Sequence, residues 1–411
     1  MGITRDDVKN IDIFNNISWK FVKGFLQFLS MIIIVRSSNI ADYGWFVGAI
    51  SAFELLAILC LPGVLRIALR SSLSGSSRFE NLFGLRVLLL PILLFGFILM
   101  PEANAAFILI ATLSDQISMF ARVKLNQHRQ YFIYNALESL KPLTIIMATT
   151  FYTVFISESL TLNYLIQAYC YLSVVNMVLN LGFAKKYSSF KFKVLKPSKF
   201  DFIESVYASG NGLISTCMRR GMVVVAAYSF STTEAAHVNI ALQFLTIFAM
   251  LYSGVSLSLT RDIYDVSLDI RKIKSGYFQP LLLLIFGISS GALFLYFFGE
   301  FALSIILGES ALGAASIVFI APLILLFQLP QLLLMGVFMR LKREALILGL
   351  NIFSIAVFAP VTFVMATNLD NLMLVALTFT LFTSCVYLIA FFRLRKNEHQ
   401  VLFSKNNLPE E

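Results

Sequence analysis

Residues 277–299 read YFQPLLLLIFGISSGALFLYFFG, a run without one charged side chain. Crossing ~30 Å of hydrocarbon as a helix takes about 20 predominantly apolar residues, and this run is long enough. The pattern recurs along the chain. Windows of about 19 residues place further spans near 14–35, 44–65, 82–100, 105–121, 131–155 and 164–183, then near 203–229, 235–259, 312–339, 345–366 and 372–392. Composition agrees: of 411 residues, 58% are hydrophobic and 13% charged, with 40 Phe and a mean hydropathy of +0.81. A soluble domain carries about 25% charged residues. These values exclude a soluble nucleotide-binding enzyme, a collagen, a disordered tail and a disulfide scaffold. The expected fold class is an all-α integral membrane protein with twelve transmembrane helices in two six-helix lobes.

The basic residues test that count. All but seven of the 32 Lys and Arg fall in alternate loops and the two tails. Arg66, Arg70 and Arg78 form one such group, Arg122, Lys124 and Arg129 another, and Arg340, Lys342 and Arg343 a third. The opposite loops hold one base, Arg36, beside Asp42, Glu102, Glu158, Glu234, Glu300, Glu309 and Asp370. Lys and Arg accumulate on the cytoplasmic side, so both termini are expected there. Most of the net charge of +9 is therefore a topology signal, and no nucleic-acid partner is expected. The first run lacks an AxA-like cleavage site and reads as a retained span.

The lysine-rich stretch 184–202 divides the chain into an N-terminal lobe, 1–183, and a C-terminal lobe, 203–392, with a cytoplasmic tail, 393–411. Its lysines suit contact with anionic lipid head groups. Gln27–Val35 and Arg220–Tyr228 both read as a polar start followed by β-branched and aliphatic residues, a faint sign of a repeat between halves. Transporters are commonly built from such repeats. Outer loops this short leave no room for a catalytic domain.

The seven remaining bases are Lys20, Lys23, Arg36, Arg86, Lys141, Arg219 and Arg220. Arg36 sits at the outer rim, and Arg86 lies near enough to the inner surface to snorkel. A Lys or Arg at mid-span costs at least ~2.5–3.5 kcal/mol on insertion scales, so Lys23, Lys141, Arg219 and Arg220 each need a partner or water. Lys20, Lys23 and Gln27 share a helix face. Three acids also lie within spans: Glu54, Asp115 and Glu138. They are candidates for charge pairing or for protonation during a cycle, because desolvation disfavours a carboxylate. Glu138 and Lys141, spaced i, i+3, can pair on one helix. The seventh span carries Asn211, Ser215, Thr216, Arg219 and Arg220 along a polar stripe, and later spans offer no mid-depth acid. Two readings stay open there: the arginines await an anionic ligand, or acids of the first half neutralise them. Guanidinium suits phosphate, donating two parallel hydrogen bonds from a planar fork.

Other constellations are weak. His128, His237 and His399 have no metal-like spacing, so no metal site is expected. Cys60, Cys170, Cys217 and Cys385 read as small core residues. No P-loop, dinucleotide fingerprint or nucleophile elbow is present, so no enzymatic activity and no resident cofactor are expected. Gly210 and Gly212 read as a kink or close-packing point.

The opening stretch, with Asn16, Trp19, Gly24, Gln27 and Phe28, then Arg36, Asp42, Tyr43, Gly44 and Phe46, then Leu61, Pro62 and Gly63, resembles the start of Wzx-type O-antigen flippases. That family belongs to the multidrug/oligosaccharidyl-lipid/polysaccharide (MOP) exporter superfamily. The resemblance implies translocation of an undecaprenyl-pyrophosphate-linked repeat unit across the bacterial inner membrane by alternating access, with H+ or Na+ as a coupling ion. It also implies an O-antigen polymerase and a chain-length regulator as partners. In that picture Lys20, Lys23, Lys141, Arg219 and Arg220 hold the anionic head group. The alternatives are a MATE-like cation-coupled drug antiporter, expected to favour an acidic or aromatic cavity, and an O-antigen polymerase or lipid-linked glycosyltransferase, expected to carry a large outer loop.

Overall fold

In hydrocarbon every backbone N–H and C=O needs an internal partner, so apolar runs of this length fold as helices. The computed structural model of the chain describes residues 5–60, 63–71, 78–99, 104–128, 130–156, 159–188, 198–265, 278–341 and 343–406. The first half contains α1 (Arg5–Ser37), α2 (Ile40–Ala57), α3 (Gly63–Ser71) and α4 (Arg78–Leu89), the last continued by a 3-10 stretch and α5 (Gly96–Leu99). It ends with α6 (Asn104–Gln127), α7 (Tyr131–Phe155) and α8 (Leu162–Ser188). The second half begins with α9 (Lys199–Thr216), a π turn (Cys217–Gly221) and α10 (Met222–Ser229), which form one rod. Then come α11 (Thr232–Asp265), α12 (Phe278–Leu307), α13 (Ala315–Val318), α14 (Ile320–Arg340), α15 (Glu344–Met365) and α16 (Leu369–Asn406).

Among the described residues, 8 stretches are long and apolar enough to cross a membrane. The helices below that threshold include α7 and the α9–α10 rod, which carry Glu138, Lys141, Arg219 and Arg220. Many exposed residues are large and apolar, as lipid contact requires; on α12, Phe286, Phe297 and Phe301 are among the most exposed.

Local signals set the boundaries. Asn39 caps α2, its side chain accepting from the Ala41 N–H at 2.9 Å, and Ser198 caps α9 by accepting from Asp201 at 3.0 Å. Gly308, with φ +88°, ends α12 in a conformation that side chains rarely adopt. Some boundaries differ from the expected ones. The second expected span, 44–65, is two helices: α2 stops at Ala57, i→i+3 hydrogen bonds tighten Ile58–Cys60, and α3 starts at Gly63. Helix covers both ends of the expected linker, since α8 runs to Ser188 and α9 starts at Lys199; residues 189–197 lie outside the described residues, as do 407–411 of the tail.

The helix contacts repeat between halves. In the first, α1 packs on α7 and α6 on α8; in the second, α9 packs on α15 and α14 on α16. Across the boundary α1 meets α11 while α10 meets α2, and α2 meets α11. Those reciprocal crossings are what an approximate two-fold relation produces. Small residues make the boundary tight: a Cβ on Gly44 would fall 1.7 Å from the Thr232 carbonyl oxygen. A core containing Phe53, Ile166, Ile240 and Val318 runs through both halves.

Candidate functional site

A cavity of about 660 Å³ opens among α1, α2, α4, α6, α7, α8, the π turn and α11. Its wall carries Lys23, Glu54, Asp115, Glu138, Lys141, Arg219 and Arg220, the mid-span charges that the sequence singles out. Lys20 does not join them. It is exposed, one turn away from Lys23 and off the wall.

Four ion pairs organise the charges. Lys23 of α1 donates to Glu138 Oε1 of α7 at 2.5 Å, and Arg122 Nη1 stands 3.9 Å from the same oxygen. Lys141 of α7 pairs with Asp115 of α6, and its ammonium lies 3.9 Å from the ring centroid of Tyr169 on α8, within cation–π reach. Arg220 of the π turn pairs through Nε with Glu54 of α2. Glu138 and Lys141 therefore do not pair along their own helix. Their directions differ enough for each to reach a neighbouring helix, where an opposite charge waits. Arg220 is not left unmatched either; its acid comes from the first half, because α2 packs against the π turn.

Arg219 is different. Among the described residues it has no ion pair or hydrogen bond, and it lies between the main cavity and a small cleft shared with Ser215 and Gln328. The π turn is the local cause. An extra residue per turn widens the helix, and such turns recur at functional sites. Gly210 and Gly212 do not make that distortion; Gly210 is a close-packing point, where an added Cβ would sit 2.9 Å from Leu348, and a Cβ on Gly212 would meet nothing within 4 Å.

Sequence reasoning missed several wall residues. Arg86 does not snorkel: it is 3% exposed, lines the cavity, and donates to the Cys60 carbonyl and to Gln116 Oε1. Arg122 lies inside α6, which runs past the expected boundary at residue 121. Tyr43 and Asn239 join α2 to α11 through a 2.6 Å hydrogen bond from Asn239 Nδ2 to the Tyr43 hydroxyl. For Arg122 the sequence carried no signal of this, since its approach to Glu138 is a contact between α6 and α7. Arg36 stays at the surface, donating to the Ile305 carbonyl near the end of α12. Of the cysteines, Cys60 and Cys170 are buried, but Cys385 is exposed and not a core residue.

Six basic side chains thus line the cavity against three acidic ones. Every acid on the wall already has a cation, while Arg219 and Arg86 have no carboxylate within 4.0 Å among the described residues. Such a space is suited to a polar anion. Among the described residues, no three His, Cys, Asp or Glu are placed to hold a metal ion.

Fold and cavity together define an all-helical, multi-pass membrane protein with a charged compartment lined by both halves of the chain. No protein-family model matches the chain, and no curated protein matches its sequence. Solved structures do share the fold. The lipid II flippase MurJ in an inward closed conformation aligns with a TM-score of 0.64 at 11% identity, over 97% of this chain and 94% of that one. An inward-facing multidrug resistance MATE family transporter of the MOP superfamily aligns with a TM-score of 0.60 at 14% identity, over 93% and 94%. A variant of the Vibrio cholerae MATE transporter VcmN gives 0.52 at 13% identity, over 94% and 97%. The chain shares its fold with these transporters.

Proposed function

We propose that the chain is a flippase that moves a lipid-linked, anionic oligosaccharide head group, an undecaprenyl-pyrophosphate-linked O-antigen or related polysaccharide repeat unit, from the cytoplasmic to the periplasmic leaflet of a bacterial inner membrane. The observation that carries this reading is the cation excess of the cavity, with Arg219 lacking any acid among the described residues. Phosphate oxygens accept bidentate hydrogen bonds from guanidinium, and a polar compartment between two halves keeps the head group out of hydrocarbon. The lipid tail stays in the bilayer. Alternating access means that the α2–α11 and α1–α11 contacts on one side and the α3–α9 contact elsewhere open in turn. Twelve spans with both termini cytoplasmic, an N-terminal lobe 1–183 and a C-terminal lobe 203–392 frame that cycle. Glu54, Asp115 and Glu138 are the groups through which H+ or Na+ would couple to it. An O-antigen polymerase and a chain-length regulator would act downstream.

The fold alone equally suits a MATE-like antiporter. A cationic cargo, for which an acidic or aromatic cavity is expected, would instead meet six basic side chains against three acidic ones. Deleting the gene separates these readings. Loss of a flippase leaves single lipid-linked repeat units on the cytoplasmic leaflet and removes surface polysaccharide without altering drug sensitivity. Export of units with failure only of chain extension would instead indicate a polymerase, and drug hypersensitivity with intact polysaccharide would indicate an antiporter.

A further inference from the structure

Arg86 is a buried cation that charge pairing does not explain. It is 3% exposed, its Nε has no hydrogen-bond partner, and among the described residues no carboxylate lies within 4.0 Å. Its two donors reach neutral acceptors, the Cys60 carbonyl and Gln116 Oε1. An ion held only by neutral groups in a low-dielectric site is poorly compensated. An anion entering the cavity that Arg86 lines offers a stronger acceptor than a neutral carbonyl.

What Arg86 holds is a corner of the fold. Cys60 ends the tight turn after α2, and its thiol donates to the Leu89 carbonyl of α4 at 3.2 Å. Three residues on, α3 begins at Gly63, whose N–H donates to Ser209 Oγ of α9 at 2.9 Å in a buried contact. The approach leaves no room for a side chain: a Cβ on Gly63 would sit 2.4 Å from Ser209 N and 2.5 Å from Ser205 O. Gly63, three residues after the carbonyl that Arg86 holds, is therefore docked directly on the helix that leads into the Arg219–Arg220 turn. A carbonyl past a helix end that loses its donor is left unsatisfied.

We propose that Arg86 is a positioning residue that couples head-group arrival to the contact between halves: a phosphate in the cavity draws the guanidinium off the Cys60 carbonyl and releases Gly63 of α3 from Ser209 of α9. The inference rests on the flippase reading above, and the test separates the two. Full-length protein in lipid nanodiscs is titrated with inorganic pyrophosphate, following binding calorimetrically and backbone hydrogen exchange by mass spectrometry. Binding should accelerate exchange in peptides covering 63–71 and 199–209 by about fivefold, the factor that losing one neutral hydrogen bond implies. Peptides of α14 and α16 should not change. In Arg86→Lys, which keeps the charge but cannot span both acceptors, exchange in 63–71 should be fast already and insensitive to pyrophosphate. Binding with unchanged exchange in 63–71 overturns the coupling and leaves the anion cavity standing; no binding at all overturns both. The wild-type measurement decides even where Arg86 variants fail to fold.

Discussion

Arg219→Ala is the most direct test of the cavity, because it removes charge without stranding any. Deleting Arg220 leaves Glu54 without its cation, and deleting Lys141 does the same to Asp115. Fully buried pairs broken in this way lose ~3–5 kcal/mol. The Arg220–Glu54 side chains keep 31% and 35% exposure, so solvent screening reduces that to about 1–2 kcal/mol. Loss of transport in Arg220→Ala therefore mixes folding with function. Arg219 is a partly buried cation with no acid to strand, and a mid-span cation is costly, so its removal should leave the thermal midpoint in detergent unchanged or raised. A charge-assisted hydrogen bond to phosphate contributes ~1.5–3 kcal/mol, which predicts an affinity for the lipid-linked head group lower by about 10- to 150-fold. Arg219→Lys should recover part of this, since it restores the charge but not the fork. The assay pairs binding of a short-chain polyprenyl diphosphate with surface polysaccharide in a deletion strain. Normal affinity and normal polysaccharide in well-expressed Arg219→Ala would refute the role assigned to this residue.

Two further outcomes follow from the packing. Asp115→Asn and Lys141→Met should each destabilise, while the double variant loses less than their combined effect, with a coupling energy of about 1–3 kcal/mol in a double-mutant cycle of thermal midpoints; additive losses would mean that the pair is not formed. Gly44→Ala should cost ~1–3 kcal/mol through overpacking against the Thr232 backbone. Gly182→Ala, where an added Cβ meets nothing within 4 Å, should instead be neutral or stabilising by up to about 1 kcal/mol. Equal effects of the two would contradict the close α2–α11 crossing.

Helix, membrane location and seven of the nine charges on the cavity wall were legible in the sequence because each is a local property. Apolar run length fixes helix in lipid, and an ionisable group inside such a run announces itself whatever surrounds it. Partner choice was not legible. Glu138 and Lys141 look like a pair on one helix, yet Lys23 and Asp115 claim them because α1 and α6 deliver those groups from outside the helix. Arg220 looks unmatched until α2 brings Glu54 across the boundary between halves. Arg86 and Arg122 read as inner-surface residues, and only the burial of α4 and the extra length of α6 turn them toward the cavity. The chain thus states how much charge its interior holds. Which cation remains for a ligand depends on distances between helices far apart in sequence, since electrostatic pairing is decided over a few ångströms in space.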